Sequence, residues 1–219
     1  MFLELKEITK TFGQTVANDH ISFGLEKGEI LAVIGENGAG KTTIMKILYG
    51  LNQADSGEIF LNGKKVKINS VRDAIELGIG MVQQHFMLFN DYTVAENIVY
   101  GKEPSRRGFF DRKKAKEIVR QLSEKYGLEI DPDLKVDDCS VGMRQRIEIL
   151  KVLYRDADII IFDEPTAVLV PKEIEELLKT LKYLSGLGKS IIIITHKLQE
   201  VMVVADRAVI MQKGRYVGE

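Results

Sequence analysis

The first third of the chain alternates apolar and polar positions with a period of two. Leu3 and Leu5, then Ile21 and Phe23, mark short strands separated by turns within residues 2–34. Ile30-Leu31-Ala32-Val33-Ile34 is instead continuously apolar, as a strand buried on both faces must be. A helix is predicted over 42–50. Glu58–Leu61 and Lys65–Ile68 flank Asn62-Gly63, a pair that tolerates positive φ and so reads as a hairpin turn. Ile79–Val82 is another short strand. From Thr93 to Arg155 the period becomes helical, with breaks at Pro104, Gly127 and Pro132. Elements then alternate: strand Ile159–Phe162, helix Glu173–Leu184 behind Pro171, strand Ile191–Ile194, helix Lys197–Val204, and Ala208–Met211 as an outer strand. Lys213-Gly214 turns the chain into a last short strand. A hairpin-rich beginning, a helical middle and a βαβ end make an α/β protein with a helical insertion.

Composition adds boundaries. The 219 residues hold 45% hydrophobic and 29% charged residues, the balance of a globular chain with a sizeable core. No apolar run exceeds five residues, too short to cross a bilayer as a helix. The single cysteine, Cys139, has no internal disulfide partner, which suits a reducing compartment. Net charge is −1, from 31 Lys+Arg against 32 Asp+Glu, so no nucleic-acid partner is expected. The basic run Asp111–Lys116 reads as a solvated helix face because acidic residues follow it.

Chemistry enters at Gly35-Glu36-Asn37-Gly38-Ala39-Gly40-Lys41-Thr42, which fits G-x-x-x-x-G-K-[ST] between a buried strand and a helix. Backbone N–H groups of such a loop curl around phosphate oxygens, and the helix N-terminus adds its positive end. Lys41 is expected on the β- and γ-phosphates, the Thr42 hydroxyl on Mg²⁺, and Thr43 beside it. Asp163 and Glu164 follow the buried strand Ile159–Phe162, at the carboxyl edge where open α/β sheets bind ligands. Asp163 suits a Mg²⁺ ligand, and Glu164 suits polarising the water that attacks a γ-phosphate. A carboxylate in that place favours hydrolysis over transfer to a second substrate.

With these two motifs in order, the sequence resembles the ATP-binding cassette (ABC) transporter ATPases over essentially its whole length. The resemblance implies a P-loop NTPase core of mainly parallel sheet, an N-terminal antiparallel β subdomain and an inserted helical subdomain. Residues 1–84 and 157–219 would form the core and 85–156 the helical part, in one domain spanning 1–219. It further implies that Gln84 contacts Mg²⁺ and the attacking water and couples to the membrane partner, with Gln83 an alternative register. His196 would bond the γ-phosphate, and Phe12 would stack on adenine. The family signature, usually Leu-Ser-Gly-Gly-Gln, reads Cys139-Ser140-Val141-Gly142-Met143, keeping Ser140 and Gly142 for a γ-phosphate. Where the family commonly has Ser-Ala-Leu-Asp, this chain has Ala167-Val168-Leu169-Val170.

Gln84-His85-Phe86-Met87-Leu88-Phe89 and Glu164-Pro165-Thr166-Ala167-Val168-Leu169 are closer to the sugar- and nucleoside-import branch. Members of that branch carry two fused cassettes, so an N-terminal half is expected. The implied cofactors are ATP and Mg²⁺. The implied partners are a second cassette, membrane permease subunits and, indirectly, an extracellular solute-binding protein, with the chain peripheral on the cytoplasmic face of the membrane. The altered signature implies the weaker of the pair's two sites. Rival readings are a soluble, non-transport ABC ATPase and a nucleotide-binding module inactive in isolation. A P-loop kinase or GTPase would leave the signature and His196 unexplained, and the chain has no Asn-Lys-x-Asp.

Overall fold

The computed structural model describes residues 1–219. β1 (Leu3–Phe12) and β2 (Thr15–Leu25) form one long antiparallel hairpin where the sequence predicts shorter strands. Register shifts between Leu5 and Ile8 and again at Lys10 interrupt the alternation, which hides the strands' continuity in the sequence. β3 (Ile30–Ile34) leads through the glycine-rich loop to α1 (Lys41–Leu48). β4 (Ser56–Leu61) and β5 (Lys64–Val66) meet at the Asn62-Gly63 turn. α2 (Val71–Glu76), too short to show a period, is held by Ser70 Oγ, which accepts Asp73 N–H at 3.3 Å. β6 (Ile79–Val82) follows.

The helical stretch contains α3 (Val94–Val99), opened by a reciprocal Thr93–Glu96 capping box. A small hairpin of β7 (Ser105–Arg106) and β8 (Phe109–Phe110) comes next, where helix was expected. Arg107 at φ 53° and Gly108 make its turn and end the helical period locally. α4 (Arg112–Tyr126) and α5 (Val141–Tyr154) complete the insertion. β9 (Ile159–Asp163), α6 (Pro171–Gly186), β10 (Ser190–Thr195), α7 (Leu198–Val204), β11 (Arg207–Gln212) and β12 (Arg215–Gly218) close the chain.

Two sheets organise these elements. β2-β1-β4-β5 is antiparallel, and β12-β11-β3-β10-β9-β6 is parallel except for its β11–β12 edge pair. Ala208–Met211, expected as the outer strand, therefore lies inside the sheet, because the final turn folds β12 onto its free edge. Each central strand alternates between two cores. Ile30, Ala32, Ile160, Phe162, Ile191 and Ile193 face α3–α7, while Leu31, Val33, Ile159, Ile161, Ile192 and Ile194 face α1 and the antiparallel sheet. Burial on both sides explains their unbroken apolar runs.

α6 starts without an acceptor side chain at its cap, because Val170 occupies that position and is exposed. Glu173 Oε2 accepts the Val170 N–H at 3.2 Å, so half of a capping box is in place. Val170→Thr, near-isosteric, should complete it and stabilise the fold by about 1 kcal/mol, read from urea unfolding midpoints.

Candidate active site

The loop between β3 and α1 is held in shape by the protein's own contacts. Glu36, Asn37 and Gly38 form its exposed crown, Gly35 is half-buried, and Ala39 and Gly40 are buried. Asn18 of β2, fully buried, donates its Nδ2–H to Gly40 O at 3.1 Å, and Gly214 N–H donates to Ala39 O at 3.1 Å. No side chain caps α1 and no acidic residue lies in its first turn, so the helix N-terminus keeps its positive character for an anion. Lys41, buried, donates Nζ–H to Gly35 O at 2.7 Å and Glu36 O at 2.9 Å. It holds its charge inside the loop, where phosphate oxygens would replace those carbonyls.

Opposite, β9 ends in Asp163 and Glu164. Thr42 Oγ1 donates to Asp163 Oδ1 at 3.1 Å, which unites two motifs 121 residues apart. Both are hard oxygen donors. Mg²⁺ binds with few protein ligands, keeping waters and substrate phosphates in its shell, so this pair suits that ion. Burial pushes the Asp163 carboxyl above the usual aspartate range; the Thr42 bond opposes this, Glu164 adds to it, and Lys46 and Lys41 oppose it more weakly. A buried carboxylate short of positive charge is what a cation site requires.

A raised native pKa costs stability once the group ionises. The cost is absent below the unfolded-state value of about 3.9 and grows as pH rises past it, because the native state then retains more protons. Asp163→Asn should thus raise the unfolding temperature of the nucleotide-free protein at neutral pH, and the gain should vanish as pH falls to about 4. Calorimetry across pH checks this; a gain that persists in acid would contradict it.

Glu164 sits at φ 47°, an uncommon conformation for this residue type, and its N–H donates to Ile194 O at 3.0 Å. His196, half-exposed after β10, brings Nδ1 within 3.5 Å of Glu164 Oε1. Lys41, Thr42, Asp163, Glu164 and His196 therefore converge on the carboxyl edge of neighbouring parallel strands β3, β10 and β9.

The family model described as ABC transporter matches residues 18–167. The chain belongs to the ABC transporter family. It is 56% identical over 213 residues to the guanosine import ATP-binding protein NupO of Bacillus subtilis, covering 97% of this chain and 42% of the relative. It is 52% identical over 215 residues to the nucleoside import ATP-binding protein NupA of Lactococcus lactis, covering 98% and 42%. The chain thus spans about two-fifths of the length of these curated relatives. An ATP-binding cassette of an ABC transporter, solved in its ADP conformation, superimposes with a TM-score of 0.88 at 25% identity, covering 99% of this chain and 89% of that one.

Other expected residues of the cassette lie apart from this edge. Phe12, half-exposed at the end of β1, has Lys10 Nζ 5.4 Å from its ring centroid. Its hairpin reaches the phosphate loop through Ala17 and Asn18. Ser140 caps α5 by accepting Met143 N–H at 3.3 Å, and Gly142 N–H faces the same end. Gln84 is exposed, while Gln83 lines a cavity of about 260 Å³ with Tyr49, Met81, Met87, Phe89 and Tyr100. In the wall of this cavity, Glu148 Oε1 accepts Met87 N–H at 2.6 Å and Lys151 Nζ donates to Met87 O at 2.6 Å. α5 therefore grips the segment after Gln84 by both backbone groups of one residue. Asn18, Glu148 and Lys151 escape motif reading. Only Asn18 leaves a trace, as a polar residue at an inward position of β2.

Proposed function

We propose that this cassette binds and hydrolyses ATP to power import of a nucleoside or simple sugar. The observation that carries the reading is the convergence of Lys41, Thr42, Asp163, Glu164 and His196 at one sheet edge. Lys41 exchanges the Gly35 and Glu36 carbonyls for β- and γ-phosphate oxygens. Thr42 and Asp163 would hold Mg²⁺, which supplies charge neutralisation of the phosphates when bound. Glu164 accepts a proton from the attacking water, and His196 and Gln84 orient the γ-phosphate and that water. Phe12 offers its exposed face to adenine. The nucleoside reading rests on the two bacterial relatives, which are nucleoside and guanosine import ATP-binding proteins, and the sugar reading on the resemblance of Gln84–Phe89 and Glu164–Leu169 to the sugar- and nucleoside-import branch.

A single cassette leaves the γ-phosphate side open to solvent. A second cassette, fused or separate, would close it head to tail through Ser140 and Gly142, each signature meeting the other's ATP. The cavity lined by Gln83 and Met87 would receive a permease subunit at the cytoplasmic membrane face, with residues 85–156 moving as the helical subdomain. Differential affinity of ATP for the closed pair supplies the work. Mg·ATP should therefore double the particle mass of the Glu164→Gln variant in sedimentation, and ADP should not. A variant that stays monomeric at saturating Mg·ATP would remove head-to-tail closure from this reading.

A further inference from the structure

Glu173 lies on the first turn of α6, outside the phosphate site, and its carboxylate bridges two helices. Oε2 serves the α6 cap. Oε1 reaches across and accepts the Gly142 N–H at 3.0 Å. Gly142 is the second residue of α5, where amides have no intrahelical acceptor. The neighbouring amides are satisfied locally, Met143 N–H by Ser140 Oγ at 3.3 Å and Arg144 N–H by Ser140 O at 2.9 Å. The approach depends on glycine, since a Cβ at 142 would lie 2.6 Å from Glu173 Oε1. A core helix thus occupies one of the donors offered by the signature helix.

A second observation lies one turn along α5. Gln145 is 4% exposed, and its Nε2 is buried without an acceptor. A buried donor left unpaired is costly, and few remain so in folded proteins. Gly142, Gln145 and Glu173 line the same cavity of about 340 Å³ between α5 and α6. At its rim Arg146 is already paired with Glu176 at 2.9 Å and the Lys179 ammonium is exposed to solvent, which leaves the Gln145 amide as the buried unused donor inside.

We propose that Glu173 gates the signature. In the nucleotide-free cassette its carboxylate holds the Gly142 N–H; when the γ-phosphate of a second cassette's ATP reaches that amide, the carboxylate moves to Gln145 Nε2. This deepens the head-to-tail reading and rests on it. Two anions do not share one N–H, so the phosphate must displace the carboxylate. The unpaired Gln145 donor lowers the cost by giving the displaced charge a new charge-assisted hydrogen bond. The exchange also moves the α5–α6 bridge one turn along α5, from Gly142 to Gln145, so nucleotide arrival frees the Gly142 amide while the two helices stay joined. Both helices are continuous elements, so the movement is confined to one side chain and the space around it.

The test uses Mg·ATP-driven pairing of this chain in the Glu164→Gln background, followed by sedimentation. Glu173→Gln keeps shape and acceptor but loses the charge, and should lower the ATP concentration for half-maximal pairing about tenfold. Gln145→Leu removes the second station and should raise that concentration by about as much. Fluorescent ATP binding to the unpaired chain should be unchanged in both variants, which a general folding defect would not permit. Shifts in the same direction, or no shift in either, overturn the gate while leaving head-to-tail pairing intact. Absence of pairing in the parent as well removes the pairing reading and the gate together. In the nucleotide-free chain, Glu173→Ala combined with Val170→Thr should speed hydrogen exchange of the Gly142 amide, and an unchanged rate also overturns the proposal.

Discussion

Glu164→Gln is expected to lower ATP hydrolysis at least about a hundredfold while leaving ATP affinity within about twofold. Glutamine preserves the size of the side chain and its capacity to bond water, but it does not accept a proton at neutral pH. The backbone does not depend on the charge: Glu164 N–H is fixed on Ile194 O at 3.0 Å and φ stays near 47°. The nearest basic group, His196 Nδ1, lies 3.5 Å from Oε1, beyond a normal hydrogen bond. Little binding energy therefore rests on the carboxylate, and the substitution separates proton transfer from nucleotide binding. Phosphate release and equilibrium ATP binding measure the two separately. A loss below about tenfold would move the general base to another residue.

The phosphate loop was legible because its chemistry is local: the glycines, Lys41 and Thr42 are contiguous, and a buried strand and a helix border them. Asp163 and Glu164 were legible for a related reason, since burial on both faces of β9 made its end unmistakable. The meeting of Asp163 with Thr42 is a property of parallel strand order, which no single motif carries. Elements that escaped are those whose signals cancel. The register shifts in β1 blurred a ten-residue strand into short pieces. Arg107 and Gly108 hid a hairpin inside a helical run. α2, at six residues, is shorter than two turns of the period that would reveal it.

Long-range polar contacts escaped for a different reason. Asn18 and Gly40, Glu173 and Gly142, and Glu148 and Met87 are separated by 22, 31 and 61 residues, and each joins a side chain to a backbone group. Backbone donors and acceptors carry no residue type, so one half of each pair is invisible in sequence. These contacts fix how the loop, the signature and the segment after Gln84 sit on the sheet. The proposed catalytic groups can be named from sequence; the parts that hold them in register cannot.

Gly40→Ala should destabilise the fold by about 3 kcal/mol and weaken ATP binding about a hundredfold. Gly40 is the cap of α1 and stands at φ 94°, where a Cβ costs about 1–2 kcal/mol by itself. Space is the larger obstacle: that Cβ would lie 2.2 Å from Ala17 O and 2.7 Å from Asn18 Nδ2. Asn18 is fully buried in β2, and its Nδ2–H already donates to Gly40 O, so relief must come from moving the loop. A shift of the loop carries Lys41, the next residue, away from the Gly35 and Glu36 carbonyls that mark its station. A displacement of about 1 Å at such a site is enough for a hundredfold loss. Chemical denaturation and ATP titration read the two effects. Adding Asn18→Ala should not rescue either one, because the closer contact is with the Ala17 carbonyl, which no side-chain substitution removes. Recovery in that double variant would place the constraint in the Asn18 side chain instead of the β2 backbone.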